Sequence, residues 1–351
     1  MAAPHLQPVT DRTAWRGDDL AKRPEDWTYR LSGAEIAEID AALTALRSTG
    51  KPAVSVKPGD FPLGKLGEAF GRIATEVNDG RGFVLIKGLP IERYSASDCE
   101  LIIAGIGSHF GTAITQNGYG DIIGHVRDLG AGKVGQKDVR GYDTTSELRF
   151  HNDECDLITL LCLKQARSGG LSSVVSSAQV FNELLATRPE VLPKLFEGYI
   201  FSLMGEHRAG VSPVSDHKIP IYSWFEDKLS CRYTINTVLQ ASQYTGKELD
   251  ETERSTLFAP LEAARKPGLA LSFALEPGDI QINNNLSTLH QRTEYVDYDE
   301  PEKKRHLLRL WLTSNRPRAL APEFEERFNG GWSFRKGIPV TKTRARAAQA
   351  A

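Results

Sequence analysis

The sequence predicts a mainly β chain with inserted α-helices, and three observations carry that reading. From about residue 120 onward, short apolar runs alternate with turn residues. Helical periodicity is concentrated in the first third and in two later insertions. The run Arg305-His-Leu-Leu-Arg-Leu-Trp-Leu312 alternates strictly, as a strand with one packed face does. In chain order, residues 1 to about 30 are polar, rich in Trp, Arg and Asp, and without a sustained period. Ser32-Gly-Ala-Glu35 offers a capping box, and Ile36, Ile39, Leu43 and Leu46 follow at helical spacing, so a helix runs to about Arg47. A second helix covers Leu63 to Val77, and Gly82-Phe-Val-Leu-Ile-Lys-Gly88 reads as a buried strand between glycines. Ser97-Asp-Cys-Glu100 opens a further helix that ends near Gly111.

Strands are then expected at Asp121 to Val126, Leu148 to Lys164, Ile219 to Phe225, Leu229 to Ile235, Leu269 to Leu275, Gly278 to Asn283 and Arg305 to Thr313. Amphipathic helices interrupt them at Ser177 to about Leu195 and at Asp250 to about Arg265, and Glu226-Asp227-Lys228 reads as a hairpin turn. Many short strands with helical insertions suit a closed or double-sheet β architecture. The expected organisation is an N-terminal extension and helical shell over 1–80, a core over 81–316 and a C-terminal extension over 317–351, forming one catalytic domain.

A chain of 351 residues, 40% hydrophobic and 25% charged, is an ordinary globular composition. Its formal net charge of -2 supplies no basic field for nucleic acid, so a small-molecule partner is expected. The basic end from Thr341 reads as a frayed tail. The start lacks a basic region followed by an apolar run, and no stretch approaches membrane-spanning length. Cys99, Cys155, Cys162 and Cys231 form no Cys-x-x-Cys pair, which points to a reducing cytoplasm. A homo-oligomer is compatible with all of this.

The chemistry concentrates in His151-Asn-Asp153. In an extended strand, residues two apart project to one side, so His151 and Asp153 can bind one face of a metal ion. His290 supplies a distant third ligand. Two imidazoles and a carboxylate that leave positions open are the donor set of Fe(II) oxygenases. On the last strand, alternation puts Arg305, Leu307, Arg309 and Trp311 on one face and His306, Leu308, Leu310 and Leu312 on the other. In a pocket each guanidinium needs an anion, and arginine grips a carboxylate with two parallel hydrogen bonds. On an ordinary strand the same arginines would be a solvated face.

His151-Asn-Asp153, Gly169-Gly170-Leu171-Ser172, Glu276-Pro-Gly-Asp-Ile280, His290, Arg305 and Arg309, in this order, resemble the taurine dioxygenase/2,4-dichlorophenoxyacetate dioxygenase family of Fe(II)/2-oxoglutarate oxygenases. The resemblance covers roughly Gly82 to Asn315. It implies a double-stranded β-helix, or jelly-roll, core and an enzyme that uses Fe(II), 2-oxoglutarate and O2. It gives His151, Asp153 and His290 to the metal, Arg305 to the distal carboxylate of 2-oxoglutarate with Ser172 beside it, and Arg309 to an acidic group on the primary substrate. Threonine is the commoner residue at the Ser172 position, and Ser173, Ser176 and Ser177 crowd the neighbourhood. Asp153 implies hydroxylation, because related halogenases carry a small residue there; desaturation, cyclisation or rearrangement would share the same cofactor chemistry.

Other polar residues read more plainly. Glu154 and Asp156 are polar neighbours on the opposite strand face, Cys155 on the ligand face is either a packed thiol or a neighbour of the cavity, with the packed thiol favoured, and His109, His125 and His207 have no metal-like spacing. Asn283, Asn284 and Asn285 either shape the approach to His290 or form a polar turn. Gln116-Asn-Gly-Tyr119 and Arg140-Gly-Tyr-Asp143 are candidate substrate loops. Two further classes fit parts of the pattern: a zinc hydrolase, which leaves the paired arginines unexplained, and a non-catalytic small-molecule-binding protein on the same scaffold.

Overall fold

A computed structural model describes residues 6–130, 141–328, 332–333 and 335–343. The N-terminal part carries α1 (Gly17–Ala21), β1 (Thr28–Arg30), α2 (Gly33–Thr49), α3 (Lys65–Asp79), β2 (Phe83–Lys87) and α4 (Ala96–Ser108). The capping box of α2 forms as its sequence implies, with Ser32 and Glu35 exchanging hydrogen bonds. The cap of helix α4 falls two residues before the expected Ser97. Its box is Ser95 with Asp98, and Arg47 from α2 pairs with the same carboxylate. That tertiary ion pair selects the cap among several serines.

Strands β3 (Gly111–Ile114), β4 (Ile123–Val126), β5 (Leu148–His151), β6 (Leu157–Lys164), β7 (Ser168–Gly169) and β8 (Ser172–Ser176) follow, then α5 (Ser177–Thr187) and α6 (Leu192–Glu197). A hairpin of β9 (Tyr222–Phe225) and β10 (Lys228–Cys231) turns at Glu226 and Asp227, both at positive φ as a tight two-residue turn requires. Helices α7 (Ile235–Thr245) and α8 (Glu251–Ala264) precede β11 (Leu271–Phe273), β12 (Ile280–Asn284), β13 (Thr288–Arg292), β14 (Tyr295–Val296) and β15 (His306–Ser314). Helix α7 was not expected. Its β-branched start reads as the end of a strand, yet Ile235, Val238 and Ala241 bury one helical face.

Two sheets organise the chain. The larger has the order β1-β2-β12-β6-β15-β3, with β4 also paired to β15, and the smaller has the order β11-β8-β13-β5. The pairings are antiparallel except β1 with β2. Leu308, Leu310 and Leu312 of β15 pack outward with Leu157, Ile280 and Val84 against α2, α3 and α4. Phe150, Val175 and Leu289 of the smaller sheet pack outward against α5 to α8. Between the sheets, Phe83, Leu85, Cys162 and Leu307 meet Val174 and Leu271. The β15 alternation therefore has its expected consequence: its leucine face is buried under helices, and its other face looks into the space between the sheets.

The expected single strand over Leu148 to Lys164 is two strands in different sheets. Residues 152–156 form the crossing between them. Asn152 makes the break: its amide donates to the carbonyls of Asn285 (2.6 Å) and Thr288 (2.7 Å), and its own oxygen accepts the Tyr233 N–H. Such a residue answers orphaned backbone groups where the ladder ends. The Glu276-Pro-Gly-Asp turn that launches β12 is equally specific. Gly278 has φ 88°, a side chain there would meet the Leu89 carbonyl, and Asp279 binds both the Glu276 N–H and Lys87.

Candidate active site

His151 ends β5 directly opposite His290 on β13, and their ring centroids lie 4.4 Å apart. Asp153 follows in the crossing segment, so strand alternation does not aim it. Other contacts do. Its Oδ2 accepts the Trp311 indole N–H at 2.9 Å and Arg309 Nη1 at 3.2 Å, while its backbone N–H donates to Asn285 Oδ1 at 3.1 Å. Oδ1 is thereby turned toward His151 Nε2, at 3.8 Å. One ligand atom from each of His151, Asp153 and His290 lies within 4.8 Å of the other two.

The protonation states suit ligation. The Arg149 carbonyl accepts from His151 Nδ1 at 2.7 Å, which places the proton there and leaves the Nε2 lone pair facing Asp153. Burial above all pushes His290 down to about 3, so it is neutral at ordinary pH. Its Nδ1 is buried without a hydrogen-bond partner among the described residues. Burial raises the Asp153 carboxyl, but Arg309 and then the two imidazoles more than offset this and hold it below its ordinary value. Two imidazoles and one carboxylate, gathered in a cleft and leaving the rest of a metal's coordination sphere open, fit Fe(II).

A cavity runs from this triad between the sheets, lined by Ser172, Arg292, Arg305 and Arg309 among others. Arg305 is buried, and its Nη1 has no hydrogen-bond partner among the described residues. Of the nearby serines, Ser173 is engaged by Ser272 and Ser176 by Thr13 and the α5 N-terminus. Ser172 lines the cavity and makes no such bond among the described residues. The preceding glycines have a backbone reason: Gly169 and Gly170 both have positive φ, and a side chain on Gly169 would strike the Glu294 carbonyl. A second cleft opens on the other side of the triad, with Tyr142, Arg149, Met204, Asn236 and Gln240 on its wall.

Arg309 is committed in a way its sequence position does not disclose. Besides Asp153 it binds Gln116 Oε1 through Nε at 2.7 Å, and it lies 4.4 Å from the centroid of Tyr142. Its Nη2 makes no hydrogen bond with a described residue. Gln116, expected on a substrate loop, is instead a buried support that also donates to the Arg309 carbonyl. Tyr142 of the other expected loop does reach the site; Arg140 lies outside the described residues, as does the tail beyond 343.

Sequence reasoning gave Arg292 no role, placed Gln116 on a substrate loop and left Asn285 between shaping the approach to His290 and forming a polar turn. Arg292 was legible in principle, since it lies two residues after His290 on a strand. Burial first and Arg305 second bring its guanidinium down to about 10, still charged at neutral pH. The remaining polar residues have separate places. Cys155 is a packed thiol bonded to Leu157 and Asn285. Asp156 binds Arg335 and the Ser314 N–H, His109 binds the Phe61 carbonyl, and His125 pairs with His306. His207 lies near Tyr244. Glu154 lines the second cleft.

Comparison with known proteins agrees with this geometry. The model of the family described as taurine catabolism dioxygenase TauD, TfdA family matches residues 47–311. The chain is 33% identical to the FR-33289 synthase of Streptomyces rubellomurinus over 87% of this chain and 90% of that one. It is also 33% identical to the taurine hydroxylase-like protein SAT17 of Stachybotrys chartarum, over 86% of this chain and 79% of that one. Among solved structures, asparagine oxygenase with Fe(II), 2S,3S-3-hydroxyasparagine and succinate has a similar fold, with TM-score 0.61 and 15% identity over 82% of this chain and 93% of that one. The non-heme iron oxygenase OrfP with Fe and alpha-ketoglutaric acid superposes with TM-score 0.58 and 14% identity over 82% and 94%.

Proposed function

This chain belongs to the TauD/TfdA family and is an Fe(II)- and 2-oxoglutarate-dependent dioxygenase, and from that premise we propose that it hydroxylates an unactivated C–H bond of a small, acidic molecule. The observation that carries the proposal is the His151, Asp153 and His290 cluster sharing one cavity with the buried Arg305, whose Nη1 has no hydrogen-bond partner among the described residues. A zinc hydrolase would need the triad alone and leaves that cation unexplained.

In this reading His151 Nε2, Asp153 Oδ1 and an imidazole nitrogen of His290 hold the iron. Arg305 holds the distal carboxylate of 2-oxoglutarate, with Ser172 adding a neutral hydrogen bond. Metal, cosubstrate and O2 together supply oxidising power sufficient to attack an aliphatic C–H bond, with succinate and CO2 released. The chain's own work is positional. Trp311 and Arg309 fix the carboxylate, the outward-packed leucines of β15 keep the Arg305 strand rigid, and the cleft lined by Tyr142, Met204 and Gln240 places the reacting carbon and limits water. Hydroxylation is the outcome favoured by Asp153; desaturation, cyclisation and rearrangement differ only in where the substrate carbon sits.

Arg309 supports the acidic substrate through its Nη2, which lines the cleft without a hydrogen bond to a described residue. A second reading rests on its bonds to Asp153 and Gln116: there Arg309 serves the metal ligand and the substrate need not be an acid. The two facing sheets support a double-stranded β-helix over a core of 81–316, with extensions over 1–80 and 317–351, although β1 contributes an edge strand to the larger sheet. Four unpaired cysteines favour a reducing cytoplasm, and no helix among the described residues is long and apolar enough to cross a membrane.

The test is to load the protein anaerobically with Fe(II) and 2-oxoglutarate, add taurine, asparagine, arginine or aryloxy acids singly, and admit O2. Substrate-dependent succinate with a product heavier by one oxygen atom is expected. Absence of succinate across the panel, in protein that binds iron and 2-oxoglutarate, would favour a non-catalytic binding protein. Equal turnover of acids and their neutral amides would remove the acidic-substrate reading and leave the enzyme class intact.

A further inference from the structure

The cavity beyond the triad holds one more cation than the proposed clamp uses. Arg292 leaves His290 by two residues on β13 and stands across from Ser172 on β8, so all three share the inner side of the smaller sheet. Its Nη2 donates to the carbonyls of Thr144, at 3.0 Å, and Ser146. Its Nε and Nη1 are buried and have no partner among the described residues, and Arg305 Nη1 is in the same condition. Neither guanidinium makes an ion pair with a described residue. Both lie against the ring of Tyr295, at 4.6 Å for Arg292 and 5.2 Å for Arg305. Asp297, on the same segment as Tyr295, gives its Oδ1 to the backbone N–H groups of Tyr298 and Arg305, and its Oδ2 is buried without a partner among the described residues, forming no ion pair with either guanidinium.

Two buried like charges with unsatisfied donors in one cavity are costly unless an anion enters between them. A backbone tie alone would account for one Arg292 nitrogen and leave two buried without purpose. We propose that Arg292 is a second cosubstrate-binding residue, sharing with Arg305 the distal carboxylate of 2-oxoglutarate, so that the pocket selects a dicarboxylic oxo acid. The proposal rests on the reading of Arg305 as the clamp and extends it. It gives Arg292 two jobs: Nη2 anchors the 144–146 segment, and Nε with Nη1 faces the ligand.

The experiment is anaerobic calorimetric titration of the Fe(II) protein with 2-oxoglutarate and with 2-oxopentanoate, which has the oxo-acid end and chain length but no distal carboxylate. Wild type should prefer 2-oxoglutarate strongly. Arg292→Gln should reduce that preference about tenfold or more, the loss expected for a hydrogen bond to a charged group, while 2-oxopentanoate binding stays within about threefold of wild type, as intact pocket walls require. Equal weakening of both ligands would make Arg292 a structural tie only and overturn the proposal, as would an undiminished preference in a folded Arg292→Gln protein. If Arg292→Gln does not fold, Arg292→Lys keeps the charge but loses the forked donor; a reduced preference is expected, and a wild-type preference overturns the proposal. Wild type that fails to discriminate the two ligands would refute the Arg305 clamp itself. Discrimination lost in Arg305→Gln but retained in Arg292→Gln would leave the clamp standing and remove Arg292 from it.

Discussion

Trp311→Phe should weaken Fe(II) binding without touching a metal ligand. Asp153 Oδ2 has two donors, the indole N–H at 2.9 Å and Arg309 Nη1 at 3.2 Å, and together they hold Oδ1 toward His151. Without the indole N–H the carboxylate can rotate and offer both oxygens to Arg309, since a bidentate guanidinium pair is the stronger arrangement. Iron must then compete with Arg309 for Oδ1. A lost hydrogen bond to a charged group is worth about 1.5–3 kcal/mol, which corresponds to roughly tenfold to a hundredfold in affinity, the same range typical of lost outer-shell partners of metal ligands. Trp311 is 2% exposed, so the smaller ring also leaves a void and lowers the melting temperature. The assay is anaerobic Fe(II) titration of protein first shown to be folded by its melting transition. Iron affinity within about twofold of wild type in a folded variant would refute the argument, and would mean that Arg309 and the Asn285 bond to the Asp153 backbone suffice to orient this ligand.

Three further outcomes are expected. Arg305→Ala should weaken 2-oxoglutarate about tenfold or more, and Ser172→Ala clearly less, because a charge-assisted contact exceeds a neutral one; anaerobic titration ranks them, and equal losses would contradict the assignment. Arg309→Gln should raise the KM for an acidic substrate with little change for its neutral amide; a fall in iron affinity with no such selectivity would make Arg309 a support for Asp153 alone. Asp98, held down to about 2 chiefly by its hydrogen bond from Arg47, contributes stability that is complete above its ordinary 3.8 and lost as pH falls through about 2. Asp98→Asn should therefore lower the melting temperature at neutral pH and flatten its decline between about pH 4 and 2, and an unchanged acid limb would show that the α4 cap contributes nothing there.

The legible parts of the sequence were those set by period and local chemistry. The β15 alternation foretold which face carries Arg305 and Arg309, and Ser32 with Glu35 foretold the start of α2. The ligand identities were legible too, but the reason offered for Asp153 was wrong: it lies past the end of β5, and Trp311, Arg309 and Asn285 aim it across more than a hundred residues of chain. Periodicity cannot report such contacts. The same limit hid the choice of Ser95 over Ser97, decided by Arg47, and the helix from Ile235, whose β-branched residues are overruled by burial of one face. Gln116 looked like loop polarity because its partner is 193 positions away.

The Arg335 contact makes the end of the chain part of the metal loop. Asp156 lies three residues beyond Asp153; it is 2% exposed and is gripped through both oxygens by Arg335 Nε, at 3.1 and 3.0 Å. The Arg335 carbonyl also accepts the Thr313 hydroxyl at 2.7 Å, so this segment is stitched to the end of β15 as well. Arg335 lies beyond residue 311, where the family match stops. Anyone shortening this enzyme to its family-defining span would leave a buried carboxylate uncompensated next to an iron ligand, and a minimal version should retain the chain at least through Arg335.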